Sequence, residues 1–293
     1  RRSLKQAESA RLAAHLRAID ENLSHQLLGV YHALLSTRER RAHWNETDLR
    51  TTAVRRLAAL SDAMPGVRTM HVLDAQGRVL ASNREELIGR SFAERAYFRD
   101  ARDQRDAAVL YVSPPFRTAL DAWALNLTLV LHDAAGGFGG VVTATLDPQY
   151  FEVALHSALY AGDMWAAIAH GDGDVLLFSP PREDLRGRNL AQPGSMFARH
   201  RDSGQATTVF DDTVALTGER RLIAQHTLRP SAVPMDRPLV LALSRDVAAL
   251  YAPWRRQTAL YAGLYALLVT LAAASLWALQ RRQRAHDAAA EAQ

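Results

Sequence analysis

The sequence has no cysteine among its 293 residues. This excludes disulfide frameworks, thiolate metal sites and cysteine nucleophiles, and it is compatible with a bacterial periplasm. An HExxH helix, a GxSxG nucleophile elbow and a GxxxxGK[ST] loop are also missing, and the N-terminal histidines show no metal-ligand spacing (His15, His25, His32, His43). We therefore expect no metal ion, no cofactor and no catalysis in this chain.

Blocks of like charge are absent as well. The net charge of +4 comes from arginines that are spread along the chain between acidic residues. No run of Lys and Arg and no arginine–aromatic stripe has the form of a nucleic-acid-binding surface. We do not expect a nucleic-acid partner.

One long segment has no charge at all. Thr258 to Leu279 reads TALYAGLYALLVTLAAASLWAL, about the twenty apolar residues that a helix needs to cross a bilayer. Aromatic residues and arginines frame this run, as they do at membrane interfaces (Trp254, Arg255, Arg256, Tyr261, Tyr265, Trp277, Arg281, Arg282, Arg284). We predict a linker and transmembrane helix over residues 247–280, with the large N-terminal part outside the cytoplasm and residues 281–293 beginning a cytoplasmic signalling helix. Because the chain starts RRSLKQ, we also expect a membrane span or leader before it.

The N-terminal region has few helix breakers. Residues 1–37 contain no proline and one glycine, and apolar residues recur there at steps of four and three (Leu12, Leu16, Ile19, Leu23, Leu27, Val30, Leu34). This pattern predicts one long helix with a heptad-like stripe. Two interpretations of the stripe are open: it lies on the core of its own chain, or it forms the seam of a parallel homodimer. With a second helix predicted from Thr47, residues 1–62 form a helical stalk.

After Gly66 the hydrophobic period changes from helical to two. A hairpin is predicted over VRTMHVL and RVLAS, followed by a helical segment and three more strands (Phe92–Arg105; Ala108–Val112, Ala122–His132, Gly140–Leu146). The same order then recurs (hairpin about His170–Gly173; helix Met196–His200; strands Ala206–Phe210, Arg221–Leu228, Leu239–Ser244), although no obvious second copy of the helix at residues 95–105 is visible. The letters repeat too, because EELIGRSF at residues 85–92 matches EDLRGRNL at residues 183–190.

This repetition predicts an α+β chain with two tandem PAS-like domains, residues 63–160 and 161–246, each built on a five-stranded antiparallel sheet. The motifs VLDAQGRVLASN, LIGRSF, RAYFRDA, LTLVLHDAAGGFGGVVTATLD and SRDVAALYAPWRRQ follow in order along nearly the whole chain. In this order and spacing they resemble the double Cache family of extracytoplasmic sensor modules. The resemblance implies a receptor of the bacterial inner membrane with a periplasmic sensor part and a cytoplasmic output domain, such as a diguanylate cyclase, a histidine kinase or a chemotaxis signalling domain.

The resemblance also implies a ligand site in the first PAS-like domain. In amino-acid-binding members the helix after the first hairpin carries Arg-x-Trp-Tyr, and a later strand ends in Asp. This chain has Arg95-Ala96-Tyr97-Phe98 and Asp147 at those places. An arginine matches a ligand carboxylate and an aspartate matches an ammonium group. Because Tyr97 and Phe98 replace Trp and Tyr, the expected ligand is an amino acid or an organic acid.

Further candidates lie on the strands that face this helix (Tyr111, Ser113, Arg117, Trp123, Asn126). Alternate residues of a strand share a face, so at most one of Trp123 and Asn126 points into the site. Core packing is the alternative role for the aromatic residues, and solvent exposure is the alternative for Arg117. Asp147 also precedes Pro148, which is a helix-cap signature, and it serves as cap and ligand together only if its two oxygens divide the roles.

Two functions are consistent with these features. The first is a small-molecule sensor that passes ligand occupancy through the membrane helix to an output domain, with a homodimer as the expected assembly. The second is a constitutive dimerisation or scaffold module that binds no ligand. A broad ligand screen distinguishes them, since a sensor is stabilised by what it binds.

Overall fold

The computed structural model describes residues 2–118, 122–214 and 218–291, with side chains described as far as Arg281. It contains two compact units, Arg1–Arg245 and Asp246–Gln293. The first unit holds the N-terminal helices and both sheets. The second is a single helix.

The N-terminal helix α1 spans Arg2–Arg41, about 60 Å at 1.5 Å per residue. A short helix α2 (Glu46–Asp48) and a π-helical turn (Leu49–Ala53) lead into α3 (Val54–Ala63). Asn45 caps α2, since its side chain accepts a hydrogen bond from the Asp48 N–H and the Asp48 carboxylate accepts one from the Asn45 N–H. The sequence predicts this second helix.

The first sheet holds β1 to β6: β1 (Val67–Leu73), β2 (Val79–Ser82), β3 (Tyr111–Val112), β4 (Phe116–Arg117), β5 (Trp123–His132) and β6 (Phe138–Leu146). The strand order is β2-β1-β6-β5-β3, and β4 also pairs with β5. The sequence predicts five strands, and the structure adds β4. Pro114 and Pro115 explain the addition, because neither residue has an N–H to donate to β5 and the chain pairs with β5 on both sides of them.

Two helices accompany the first sheet. α4 spans Ala96–Gln104 after the β1–β2 hairpin, and α5 spans Pro148–Ser157 after β6. Both lie where the sequence places helical residues.

The second sheet is the predicted recurrence. It holds β7 (Trp165–His170), β8 (Val175–Ser179), β9 (Thr207–Thr213), β10 (Arg220–Leu228) and β11 (Leu239–Asp246), in the order β8-β7-β11-β10-β9. Helix α6 (Met196–Ser203) follows its hairpin as α4 follows the first, so the second copy does have a counterpart of that helix.

The repeated letters at residues 85–92 and 183–190 fold alike. The N–H of Gly89 donates to Val79, and the N–H of Gly187 donates to Val175, the first residue of β8. Both glycines have a positive φ, 81° and 72°. The duplication inferred from the sequence is therefore present in the backbone.

The apolar stripe of α1 is buried inside the chain. Leu12, Leu16 and Leu34 have no exposed surface, and the rest of the stripe is buried as well. The helix packs on β5 and β6 of the first sheet and on β9 and β10 of the second. Of the two interpretations of the stripe, the structure supports the one in which it covers the chain's own core.

The last helix, α7, spans Val247–Glu291, with Pro253 inside it. Among the described residues it alone is long and apolar enough to cross a membrane: Val247–Arg281 contains a window of mean hydropathy 1.9, none of which is buried in the chain. A helix with these properties fits the predicted transmembrane segment.

Candidate functional site

The inner face of the first sheet changes from apolar to polar along its strands. Three rows of paired residues cross β1, β6 and β5 (Leu73–Val141–Val130, His71–Thr143–Thr128, Thr69–Thr145–Asn126). The apolar row lies in the core cluster with Tyr97, Phe98 and Ala101 of α4. The six polar residues of the other two rows are also buried. A buried polar surface of this extent is unusual, because polar groups lose solvation on burial unless something bonds to them.

A cavity of about 140 Å³ opens onto these polar rows. Its lining residues are Arg68, Thr69, His71, Arg84, Glu86, Leu87, Phe92, Arg95, Tyr97, Phe116, Thr118, Asn126 and Thr145. Pockets for drug-sized molecules are larger, roughly 300–1,000 Å³. The cavity therefore suits a small metabolite.

Two side chains on the cavity floor have unused hydrogen-bonding atoms. Both ring nitrogens of His71 and the Oδ1 of Asn126 are buried, and none of them bonds to any residue that the structure describes. Burial lowers the pKa of His71 to about 4, so its imidazole is neutral at neutral pH and offers one donor and one acceptor. An unmade hydrogen bond in a buried site costs about 1–3 kcal/mol, which a polar ligand would offset.

The cavity wall is positively charged. Arg68, Arg84 and Arg95 line it against one carboxylate, Glu86. Arg68 is paired with Asp147, but within the described part of the chain Arg84 and Arg95 form no ion pair. Arg95 precedes α4 with a side chain that takes no part in capping. Two guanidinium groups are thus available to a ligand carboxylate.

Solved structures with the same fold include sensor domains. The extracellular domain of rpHK1S-Z16, assigned as a histidine kinase, is 22% identical to this chain with a TM-score of 0.70 and covers 87% of this chain and 100% of its own. The periplasmic sensory domain of the Campylobacter jejuni chemoreceptor Tlp1 is 14% identical with a TM-score of 0.64, over 84% of this chain and 95% of its own.

A third structure is the ligand-binding domain of the Pseudomonas aeruginosa amino acid chemoreceptor PctC in complex with GABA. It is 19% identical with a TM-score of 0.61, over 82% of this chain and 100% of its own. No protein-family model matches the sequence, and no curated protein matches it in sequence.

The chain has the fold of an extracytoplasmic sensor domain. This is the fold that the double Cache resemblance implies, found over more than four-fifths of the chain in each of these structures. The fold alone names no ligand, so the chemistry of the site is read from the side chains.

Three of the site residues predicted from the sequence line the cavity of the first sheet. Arg95, Tyr97 and Asn126 all line it. Burial raises the pKa of the Tyr97 hydroxyl, which therefore stays protonated and able to donate. The Tyr97 ring packs against Phe116 at a centroid distance of 5.8 Å. Asn126 rather than Trp123 faces the cavity, in line with the alternation of side chains along β5.

The other predicted residues stand beside the cavity or behind it. Phe98 is fully buried against Phe138, and the Tyr111 hydroxyl accepts a hydrogen bond from the Asp106 N–H. The Ser113 hydroxyl accepts from the Asn126 N–H at 3.0 Å and so helps to position that residue.

Two of the predicted residues lie at the outer end of β4 and β5. The Arg117 carbonyl accepts a hydrogen bond from Arg95 Nη1 at 3.3 Å, and the Arg117 guanidinium lies 5.3 Å from the Trp123 ring centroid. The Trp123 ring fills the space next to the α-carbon of Gly187 in the second half of the chain.

Asp147 divides its two oxygens between two partners. Its Oδ1 accepts from the Gln149 N–H and caps α5, and its Oδ2 forms an ion pair with Arg68 at 2.6 Å. The cap role is therefore present. The second oxygen holds Arg68. Arg68 lines the cavity, whereas Asp147 itself does not line it.

The sequence reading does not include His71, Thr69 and Thr145, nor the wall residues Arg68, Arg84 and Glu86. A signal for the first three is present in the sequence: Thr69 and His71 alternate on one predicted strand, as do Asn126 and Thr128 on the next and Thr143 and Thr145 on the last. Alternating polar residues on strands that are otherwise apolar indicate a buried polar face.

Proposed function

We propose that this chain is the periplasmic sensor part and membrane helix of a receptor in the bacterial inner membrane. Its ligand is a small zwitterion or organic acid that binds in the cavity of the first sheet, within the domain predicted over residues 63–160. The observation that carries this proposal is a combination found within the described residues: polar atoms without a hydrogen-bond partner on the floor, at His71 and Asn126, and guanidinium groups without an ion pair on the wall, at Arg84 and Arg95.

The site has two chemically different ends. The guanidinium groups of Arg84 and Arg95 suit the ligand carboxylate. The neutral imidazole of His71 and the Oδ1 of Asn126 are acceptors for an ammonium group. An amino acid in this orientation satisfies both ends, whereas a simple amine or a simple acid satisfies one. The GABA complex of PctC is consistent with a zwitterion in this fold.

The signal leaves the site through contacts between the two sheets. The Val112 N–H on β3 donates to Asp236 Oδ1 at 2.8 Å, and the Val112 carbonyl lies 3.0 Å from His170 Nε2 on β7. β3 borders β5, which carries Asn126, and β7 borders β11, after which α7 begins. Ligand binding shifts α7 only if the ligand favours one of two arrangements of this path.

A diguanylate cyclase or a histidine kinase is the output domain that we expect after α7. The receptor is expected to be a homodimer, with contacts outside the leucine stripe of α1, because that stripe is buried within the chain.

The test is a binding screen on the whole chain in lipid nanodiscs. Thermal shift and calorimetry with neutral L-amino acids, GABA, succinate and ethylamine should show the largest stabilisation with zwitterions. Arg95→Ala should weaken the best ligand by roughly ten- to a hundredfold, the effect of losing a charged hydrogen bond.

Arg199→Ala is the matched control. Arg199 lies on α6 of the second sheet and is already paired with Asp212 at 2.7 Å, so its loss should leave this affinity unchanged. If no compound of the panel raises the melting temperature, or if Arg95→Ala binds as tightly as the wild type, the ligand site is elsewhere or absent and the scaffold function is favoured.

A further inference from the structure

The second sheet has a cavity of its own, of about 290 Å³, twice the volume of the first. It lies on the inner face of this sheet, beside α6. Apolar side chains dominate its lining, among them Trp165, Phe178, Leu185, Met196, Ile223 and Val214. Trp165 and Phe178 present their rings to each other at a centroid distance of 4.9 Å and a tilt of 34°.

The strand registers show why the inner face at this cavity is less polar than that of the first sheet. Both hairpins carry the same irregularity, between Val72 and Leu73 in β1 and between Ile168 and Ala169 in β7. Aligning the hairpins on it superposes His71 on Ala167. The residues paired with His71 then correspond to those paired with Ala167. Ser82 corresponds to Phe178, and Thr143 corresponds to Ala242. Two polar floor positions of the first sheet are thus alanines in the second, and a third is phenylalanine.

One buried polar side chain in the second cavity lacks a partner. Gln225 is 5% exposed, and its Oε1 bonds to no residue in the described ranges. Two other polar residues of the lining are engaged: Ser195 caps α6, and Asn189 bonds to Asp172, Asp174 and the Ala191 N–H. The charged residues of the lining, Arg199 and Asp212, neutralise each other. Gln192 and Thr213 also line the cavity but are exposed. The site therefore offers apolar walls, aromatic rings and, among its described residues, one buried acceptor without a partner, Gln225 Oε1.

From these features we infer that the second sheet holds a separate binding site for a small uncharged aromatic molecule with one N–H or O–H donor, of the indole or phenol class. The aromatic ring packs against the contacting rings of Trp165 and Phe178, above the two floor alanines, Ala167 and Ala242. The donor supplies the hydrogen bond that Gln225 lacks. A carboxylate ligand is disfavoured, because the arginine of this cavity is already paired.

The probe for this site is indole, and its matched control is indene, which has a CH₂ group in place of the N–H. Calorimetry on the whole chain in nanodiscs, with empty nanodiscs to subtract partition into lipid, should show saturable binding of indole and at least about tenfold weaker binding of indene. Gln225→Leu should remove this preference by weakening indole binding alone.

Ala242→Phe places a ring in the cavity and should abolish saturable indole binding. If that variant does not fold, Met196→Trp fills the same cavity from its wall and tests the same point. Arg95→Ala should bind indole like the wild type, which separates this site from the one in the first sheet. Absence of saturable indole binding, indole binding that survives the filled cavity, or an indole preference that persists in Gln225→Leu would each overturn the inference.

Discussion

The two sheets share one strand order and one hairpin geometry, yet their inner faces have opposite chemistry. The first sheet presents buried threonines, a histidine and an asparagine beneath a wall of arginines. The second presents alanines and aromatic rings beneath the ion pair of Arg199 and Asp212, whose charges cancel. Since the backbones correspond, the difference comes from a few ladder positions, led by the pairs His71/Ala167 and Thr143/Ala242. A duplicated fold can therefore diverge in the chemistry of its inner face without a change in topology.

The ends of the two sheets differ as well. Where β6 leaves the first sheet, Asp147 and Arg68 form a pair whose side chains are each 25% exposed. Where β11 leaves the second, Arg245 bonds to Glu8 of α1 at 2.8 Å and to Asp163 at 2.9 Å, and these side chains are 10–19% exposed. The Tyr160 hydroxyl donates to Glu8 as well. The exit that leads into α7 is thus held by a largely buried cluster, and the other exit by a partly exposed pair.

Removal of Arg245 should have the largest effect on stability. Arg245→Met removes the cation that the largely buried carboxylates of Glu8 and Asp163 share, and breaking a buried ion pair in this way costs about 3 kcal/mol or more. The midpoint of urea unfolding should fall accordingly. Arg68→Met at the other exit is the control, and it should cost less than about 1 kcal/mol because that pair is partly solvated. Equal losses for the two variants would remove the distinction between the exits.

The second-largest expected effect concerns two buried histidines. Their pKa values are lowered alike, but their hydrogen-bonding partners differ. Burial lowers the pKa of His71 to about 4, and burial together with the nearby His226 lowers the pKa of His200 to about 4. His200 bonds to Thr208 and Thr227, whereas His71 has no partner among the described residues. His200 is therefore a satisfied structural group, whereas the His71 ring lines the cavity with neither nitrogen bonded to a described residue.

Acid should therefore destabilise the fold below pH 6.5. Between pH 6.5 and about 4 the unfolded chain binds a proton at each histidine that the folded chain does not bind, so the free energy of unfolding falls as the pH falls. For His71 the loss from pH 7 to pH 4.5 is about 2 kcal/mol. Thermal unfolding of His71→Ala across this range should show a shallower decline than the wild type. The exposed residue His43 supplies the control, His43→Ala, and an unchanged slope in His71→Ala would contradict the assignment.

Much of the fold follows from the sequence because its signals are local and repeated. The uncharged run of α7, the leucine stripe of α1 and the glycine turns of the two hairpins each fix an element by its own residues. The sixth strand was not predicted, since β4 has only two residues and is defined by its pairing with β5. Helix α6 was only partly recognised, because its eight residues carry no arginine-aromatic motif like that of α4.

The site was harder to predict than the fold. Motif resemblance and strand alternation predict Arg95, Tyr97 and Asn126, which line the cavity. Arg84 and Glu86 were not, because they lie in or next to a short 3-10 turn (Glu85–Leu87) whose position against the cavity depends on tertiary packing. His71 lies on a strand whose alternating polar residues indicate a buried polar face, but its lack of a hydrogen-bond partner among the described residues is visible only once its neighbours are placed.

The smallest expected effect tests which role Asp147 has in the first sheet. Asp147→Asn keeps an oxygen that accepts from the Gln149 N–H, so the cap on α5 remains. It removes the charge that holds Arg68, and the loss of such a partly exposed pair should lower the free energy of unfolding by less than about 1 kcal/mol.

The binding outcomes differ between the two roles. If Asp147 acts only as cap and as partner of Arg68, the affinity for zwitterions should change by less than about threefold. Binding of a simple acid such as succinate should not weaken in that case, because Arg68 is released toward the cavity. If Asp147 instead pairs with the ligand ammonium, Asp147→Asn should weaken zwitterions by at least about tenfold and leave succinate unchanged. Calorimetry with one ligand of each kind separates these outcomes, and a selective loss of zwitterion binding would move the ammonium end of the ligand from His71 and Asn126 to the exit of β6.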